Sequence, residues 1–259
     1  MTNNAERLIF EYSINDLPVR AVFYAQDVEQ VFIPLMKSLT VLQKQLERTI
    51  IVYLAAPPGC GKSTLATFLQ EESHKRDDVT DIQAIGIDGY HYSQKQLKPM
   101  TITVNGEVYP LSLFKGVPAS FDVTALKEDL QRIKNGEDVW WRLYSRKTHD
   151  PILHAIHLQE KIILLEGNYL LYTEENWSDL YSFCDFSIYM TNHLETLKKR
   201  LISRKIAGGA SEEEAIHHYE MTDGVNIQRV TEHHRQADVE MLFNEDNKIE
   251  FYHADRILI

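Results

Sequence analysis

The residues of this chain best suited to chemistry lie in one short turn, Ala56-Pro57-Pro58-Gly59-Cys60-Gly61-Lys62-Ser63, between an apolar run and an amphipathic one. The spacing fits a phosphate-binding loop, with Ala56 in the first position usually held by glycine. Gly59 and Gly61 let the backbone turn successive N–H groups toward phosphate oxygens. Lys62 would reach the β- and γ-phosphates of a nucleotide, and the Ser63 hydroxyl would face Mg²⁺. The helix expected from Lys62 to about His74 aims its positive end at the same anion. Pro58, Gly59, Cys60, Gly61, Lys62 and Ser63 therefore read as a nucleotide cradle. The plainer reading is a glycine-rich strand-to-helix turn with an incidental lysine.

Two carboxylates follow at the ends of apolar runs. Asp88 closes AIGID and is followed by Gly89, Tyr90 and His91. A carboxylate near the γ-phosphate can accept the proton of an attacking hydroxyl; the competing reading is a strand-terminal aspartate that caps a turn. Glu166 closes IILLE before Gly167. It suits a Mg²⁺-water or substrate contact, against an ordinary strand-end glutamate. No Asn-Lys-x-Asp segment is present to read guanine, and the IILLEG strand ends on Glu166 and Gly167 rather than on the Asp, often followed by Glu, usual in remodelling ATPases. Phosphoryl transfer to a small molecule is the chemistry this set favours.

Such residues need a sheet whose strands end at one edge. The 259 residues, 44% hydrophobic, are enough for one sizeable α/β core. RLIFEYSINDLPVRAVFY reads as a hairpin around Asn15–Asp16, and Asp27 as the N-cap of a helix interrupted at Pro34. IIVYLA, AIGID, KIILLEG and FSIYM read as strands, and FDVTALKEDLQRIKNGE and HLETLKKRLISRKI as helices. An Asn105-Gly106 turn marks an inserted hairpin over about 98–112. The tail VEMLF–NEDNK–IEFYH reads as a closing hairpin. Strands alternating with helices imply a mostly parallel sheet that binds ligands at the strands' carboxyl ends. The division expected is 1–48, a hairpin and helix packed on the core, and 49–259, the nucleotide-binding domain, with a lid at about 200–215.

The net charge of −11, with no basic cluster, argues against a nucleic-acid partner. No apolar run approaches membrane-spanning length and no apolar leader opens the chain, so no membrane partner and a cytoplasmic location are expected. Two cysteines, Cys60 and Cys184, make no disulfide framework. His217–His218 and His233–His234 do not chelate easily, because adjacent helix positions point about 100° apart. In DVWWRLYSR, Trp140 and Trp141 cannot face the same way on a strand, so at least one belongs to the core.

Taken in order, IDGYHYS, KGVPASFDVTALKEDLQRIKNGE, LYSRKTHDP and IILLEGNYLL resemble the phosphoribulokinase/uridine kinase superfamily of P-loop kinases. The first two look like bacterial pantothenate kinase. The segment GGASEEEAIHHYEMTDGVNIQRV, with Asp223 and Asn226, looks like the fructokinase-like "nucleoside/nucleotide kinase" branch. The resemblance covers roughly residues 49–242. It implies ATP and Mg²⁺ as cofactors, Asp88 as base, Lys62, Ser63 and Thr64 as phosphate and Mg²⁺ contacts, and Glu166 as the acid after the Walker B strand. It makes Arg200 and Arg204 the lid cations that close on the transferring group. That helix carries five basic residues, so a solvated face is the plainer reading of the arginines.

The acceptor side is expected from Asp122, Tyr144, Arg146 and His149, with Tyr90, His91, Lys115 and Glu166. Pantothenate kinases typically have His where Arg146 stands. An arginine there could pair with a carboxylate or phosphate on the acceptor, or with a partner inside the chain. The expected protein is an ATP-dependent kinase acting on a sugar-like, nucleoside or pantothenate-like hydroxyl, with a homodimer left open. The alternative is a nucleotide-binding regulator without turnover.

Overall fold

The computed structural model describes residues 6–14, 17–104, 106–145 and 147–256. Three residues read from the sequence, Arg146 and the turn pair Asn15–Asp16, lie outside them, as does Asn105. β1 (Arg7–Ile14) and β2 (Leu17–Tyr24) pair antiparallel as a separate two-stranded sheet. The hairpin rests on the core through aromatic rings: Phe23 lies 4.3 Å and Phe10 5.3 Å from the Phe68 ring.

A helical turn, α1 (Ala25–Asp27), passes through a π turn (Val28–Phe32) into α2 (Ile33–Leu46). Pro34 sits in the first turn of α2, where its missing N–H costs little. Asp27 is not the N-cap read from the sequence, because the helix starts two residues earlier at Ala25 and Asp27 makes no cap bond. It is buried instead, and its Oδ2 accepts a 3.0 Å bond from the Ile249 N–H.

The main domain follows with β3 (Ile50–Ala55), α3 (Lys62–Ser73), β4 (Ile82–Gly86) and the short α4 (Gln94–Leu97). β5 (Thr101–Val104) and β6 (Glu107–Pro110) form the inserted hairpin, with its own small core of Leu97, Leu111, Phe114 and Val117. Next come α5 (Val123–Lys134), β7 (Trp140–Ser145), β8 (Asp150–His157), β9 (Ile162–Gly167) and β10 (Phe186–Asn192). The chain closes with α6 (Leu194–Ala207), α7 (Glu212–His218), α8 (Gly224–Glu232), β11 (Val239–Phe243) and β12 (Ile249–Ala254).

The six-stranded sheet has the order β12-β11-β10-β3-β9-β4, and every pair in it is parallel except β11–β12. The C-terminal hairpin is therefore no appendage: β11 continues the parallel sheet, and only β12 reverses at the edge. β3 is apolar at every position because both its faces are covered. Ile50, Val52 and Leu54 join the core that α2, α3 and α6 cover, whereas Ile51, Tyr53 and Ala55 join the core under α5.

The β7–β8 hairpin was not anticipated. It resolves the tryptophan pair as alternation requires: Trp141 is fully buried and Trp140 is exposed against His157. No helix among the described residues is long and apolar enough to cross a membrane.

Candidate active site

β3, β9 and β4 are neighbours, so their carboxyl ends bring the glycine-rich loop, Glu166 and Asp88 to one edge. Gly59 (φ +78°) and Gly61 (φ +96°) hold the loop in the left-handed region, which side-chain-bearing residues rarely adopt. Gly59 is doubly constrained, since a β-carbon there would stand 3.0 Å from Cγ of Leu201. Cys60 between them is buried, and burial pushes its thiol up to about 12, so it is a protonated filler. Lys62 opens α3 and is buried; its ammonium donates to Asn168 Oδ1 and, at 3.4 Å, to the Pro57 carbonyl. Burial lowers its pKa, and the nearby Glu166 and Asp88 carboxylates oppose that shift.

Ser63 Oγ donates a 2.7 Å hydrogen bond to Glu166 Oε1. The neighbouring strand makes room for that carboxylate, because a β-carbon on Gly86 would approach Glu166 Oε1 to 3.2 Å. A hydroxyl and a carboxylate side by side form the hard-oxygen donor set that suits Mg²⁺.

Asp88 lies in a single 3₁₀ turn, Ile87–Tyr90, that follows β4. His91 Nδ1 lies 2.9 Å from the Asp88 carbonyl oxygen, and the imidazole packs on Phe121 at 3.8 Å between ring centres. Burial pushes the His91 pKa down, which favours the neutral ring.

These residues open onto a cleft of about 580 Å³. Lys62, Ser63, Asp88 and Glu166 form its inner end. Lys115, Tyr144 and His149 form one wall, and Arg204, Lys205, Asp223 and Asn226 another. Lys115 Nζ donates 2.7 Å to the His149 carbonyl and stands 4.7 Å over the Tyr144 ring. Asn226 donates 3.3 Å to the Gly116 carbonyl, which also accepts 2.7 Å from the Tyr169 hydroxyl.

Among the residues read from the sequence for the acceptor side, His91, Lys115, Tyr144, His149 and Glu166 line this cleft. Two do not. Tyr90 is fully buried and donates 2.7 Å to Asp129 Oδ2, and Asp122 caps α5 by accepting 3.1 Å from Ala125 N–H. Thr64 and Arg200 lie behind the phosphate loop. Arg200 donates 3.1 Å to the Glu245 carbonyl and 2.7 Å to Asn247 Oδ1. Asn168, Lys205 and His218 also line the cleft and were not singled out. Asn168 had a signal, being the first polar residue after the Glu166-Gly167 strand end.

A model of the Phosphoribulokinase / Uridine kinase family matches residues 51–250. The chain belongs to that family. Members of the phosphoribulokinase/uridine kinase family are P-loop kinases, phosphotransferases that act on hydroxyl groups. The chain is 38% identical over 242 residues to the uncharacterized protein YggC of Escherichia coli (strain K12), covering 93% of this chain and 98% of that protein. It is 31% identical over 186 residues to the pantothenate kinase of Shewanella pealeana, covering 67% of this chain and 56% of that protein. Among solved structures, one provisionally described as a fructose transport system kinase of Silicibacter sp. TM1040 superposes with a TM-score of 0.66 at 26% identity. That superposition covers 78% of this chain and 96% of the other.

Proposed function

We propose that this chain transfers the γ-phosphoryl group of ATP to a hydroxyl of a small, sugar-like acceptor. The observation that carries the reading is the meeting of Asp88 with Lys62, Ser63 and Glu166 at the inner end of one cleft. The acceptor hydroxyl would lose its proton to the Asp88 carboxylate as its oxygen attacks the γ-phosphorus and the bond to the β,γ-bridging oxygen breaks. Lys62, with Arg204 from α6, would balance the charge on the transferring oxygens. Ser63 and Glu166 would hold Mg²⁺, which supplies charge neutralisation at the phosphates when bound.

The sugar-like acceptor is favoured by the polar cleft walls, where Asp223 and His149 offer donors and acceptors suited to several hydroxyls. The relative described as a fructose transport system kinase points the same way. Nucleosides and pantothenate-like acids are the other acceptor classes. The test is ADP formation from Mg·ATP against a panel of sugars, sugar phosphates, nucleosides and pantothenate, with Asp88→Asn as control. A sugar that raises the rate in the wild type alone supports the reading. Bound ATP with no stimulation by any acceptor favours a regulator on the same fold.

A further inference from the structure

A separate cavity of about 240 Å³ lies behind the phosphate loop. One side is five consecutive residues of β2, Val19–Phe23; the other is Arg200, Phe243 and Asn247. Alternate strand residues point to opposite faces, so a strand that contributes five in succession presents an edge. Among the described residues β2 pairs only with β1, and none of β1 lines this cavity. The edge presented is therefore the one opposite β1, where backbone N–H and C=O groups make no sheet bonds.

A further cavity of about 230 Å³ connects this space to the catalytic cleft. It shares Gly61, Thr64 and Arg200 with the first, and Lys62, Ser63 and Arg204 with the cleft. A triphosphate lying on the loop with its γ end toward Asp88 would thus direct its nucleoside end under the hairpin. The walls there suit a flat heterocycle. The Arg200 guanidinium is held by Glu245 and Asn247, and a planar cation stacks well on an aromatic ring. Phe243 and Met190 supply apolar contact. The volume falls below the roughly 300–1,000 Å³ of pockets for whole drug-sized ligands, as expected of a slot for one base.

We propose that β2, which lies outside the segment matched by the family model, forms one wall of the donor's base site and reads adenine through its open backbone edge. This rests on the kinase reading above. An edge strand offers N–H and C=O groups side by side, which complement the acceptor and donor on one edge of adenine. Asn247 (φ +66°) sets the opposite wall by bracing Arg200.

The test is calorimetric binding of ATP, GTP and inorganic tripolyphosphate to the full chain and to two variants. Val22→Phe fills the slot from a half-buried position, and Asn247→Gly keeps the left-handed turn while removing the brace. The wild type should bind ATP about tenfold or more tighter than tripolyphosphate, and tighter than GTP. Each variant should lose most of that margin and keep its tripolyphosphate affinity. ATP binding no tighter than tripolyphosphate, or an unchanged margin in both variants, overturns the proposal and leaves the kinase reading standing. Base-selective binding with no ADP formed on any acceptor sinks the kinase reading alone. No binding of any of the three sinks both.

Discussion

The carbonyl oxygen of Arg142 lies 2.3 Å from the point that a β-carbon on Gly89 would occupy. β7 thus passes directly over the residue after Asp88, and only glycine fits beneath it. On the other side, the Trp141 indole N–H donates 2.9 Å to the Gly86 carbonyl. The segment around Asp88 is pinned at both ends by one strand.

Gly89→Ala should therefore cost about 1–3 kcal/mol of stability, the usual range for overpacking, because the backbone above it cannot yield. Thermal unfolding of the purified variant checks this. A melting temperature equal to that of the wild type would show that β7 can withdraw without penalty.

Asp88→Asn keeps the shape and removes the proposed base. Turnover on any accepted substrate should fall by about 10²–10⁴, while ATP affinity stays within about threefold, because the cradle and Lys62 are unchanged. Single-turnover ADP formation and calorimetry separate the two effects. Normal turnover would remove Asp88 from the role of base.

Asp185 anchors the far end of the sheet. Its carboxylate accepts bonds from Arg48 (2.6 Å), Lys134 (2.6 Å) and the Ile51 N–H (2.8 Å), and its side chain is 7% exposed. Asp185→Ala should destabilise the protein by about 3–5 kcal/mol, since it leaves Lys134 and a buried N–H without their partner. Burial alone would raise this carboxyl's pKa, but the bonds from Arg48, Lys134 and Ile51 outweigh it and hold it below the ordinary carboxylate range. The unfolded chain then binds the proton more readily, so this stabilisation is fully present above about pH 4 and is lost as pH falls further. The melting-temperature gap between wild type and Asp185→Asn should be constant at neutral pH and shrink on acidification.

His91 acts in the same direction, in a higher pH window. Burial holds its folded pKa below the usual value of about 6.5. The unfolded chain therefore takes up the proton first, and the folded state loses ground as pH falls from about 6.5 toward the folded value. His91→Gln should lack this part of the acid slope. Denaturant midpoints measured between about pH 7 and 5 check it, and identical slopes in both proteins would rule it out.

The placement of the glycine-rich loop, Asp88 and Glu166 at strand ends was legible because each is encoded within a few residues by its own spacing and flanking apolar run. Partnerships across the fold were not. Lys62 meets Asn168 across 106 positions, and nothing near either residue announces the other. Tyr90 and Asp122 were misplaced because their local patterns admit two orientations, and the Tyr90 hydroxyl found Asp129 while Asp122 was used by the start of α5. The β7–β8 hairpin escaped because its turn carries no glycine: His149 supplies the left-handed residue, at φ +55°. The C-terminal hairpin was visible, but which strand would accept β11 depends on the β10 edge, which only the assembled sheet creates.

The strand order β3–β9–β4 has a consequence for how such a chain can change. Lys62, Ser63, Glu166 and Asp88 all stand at the ends of these three strands, whereas Lys115, Tyr144, His149 and Asn226 belong to segments looped out between or after them. On the function proposed above, transfer is written into the scaffold and choice of acceptor into its attachments. Grafting those attachments from a relative would re-address the enzyme without rebuilding its engine.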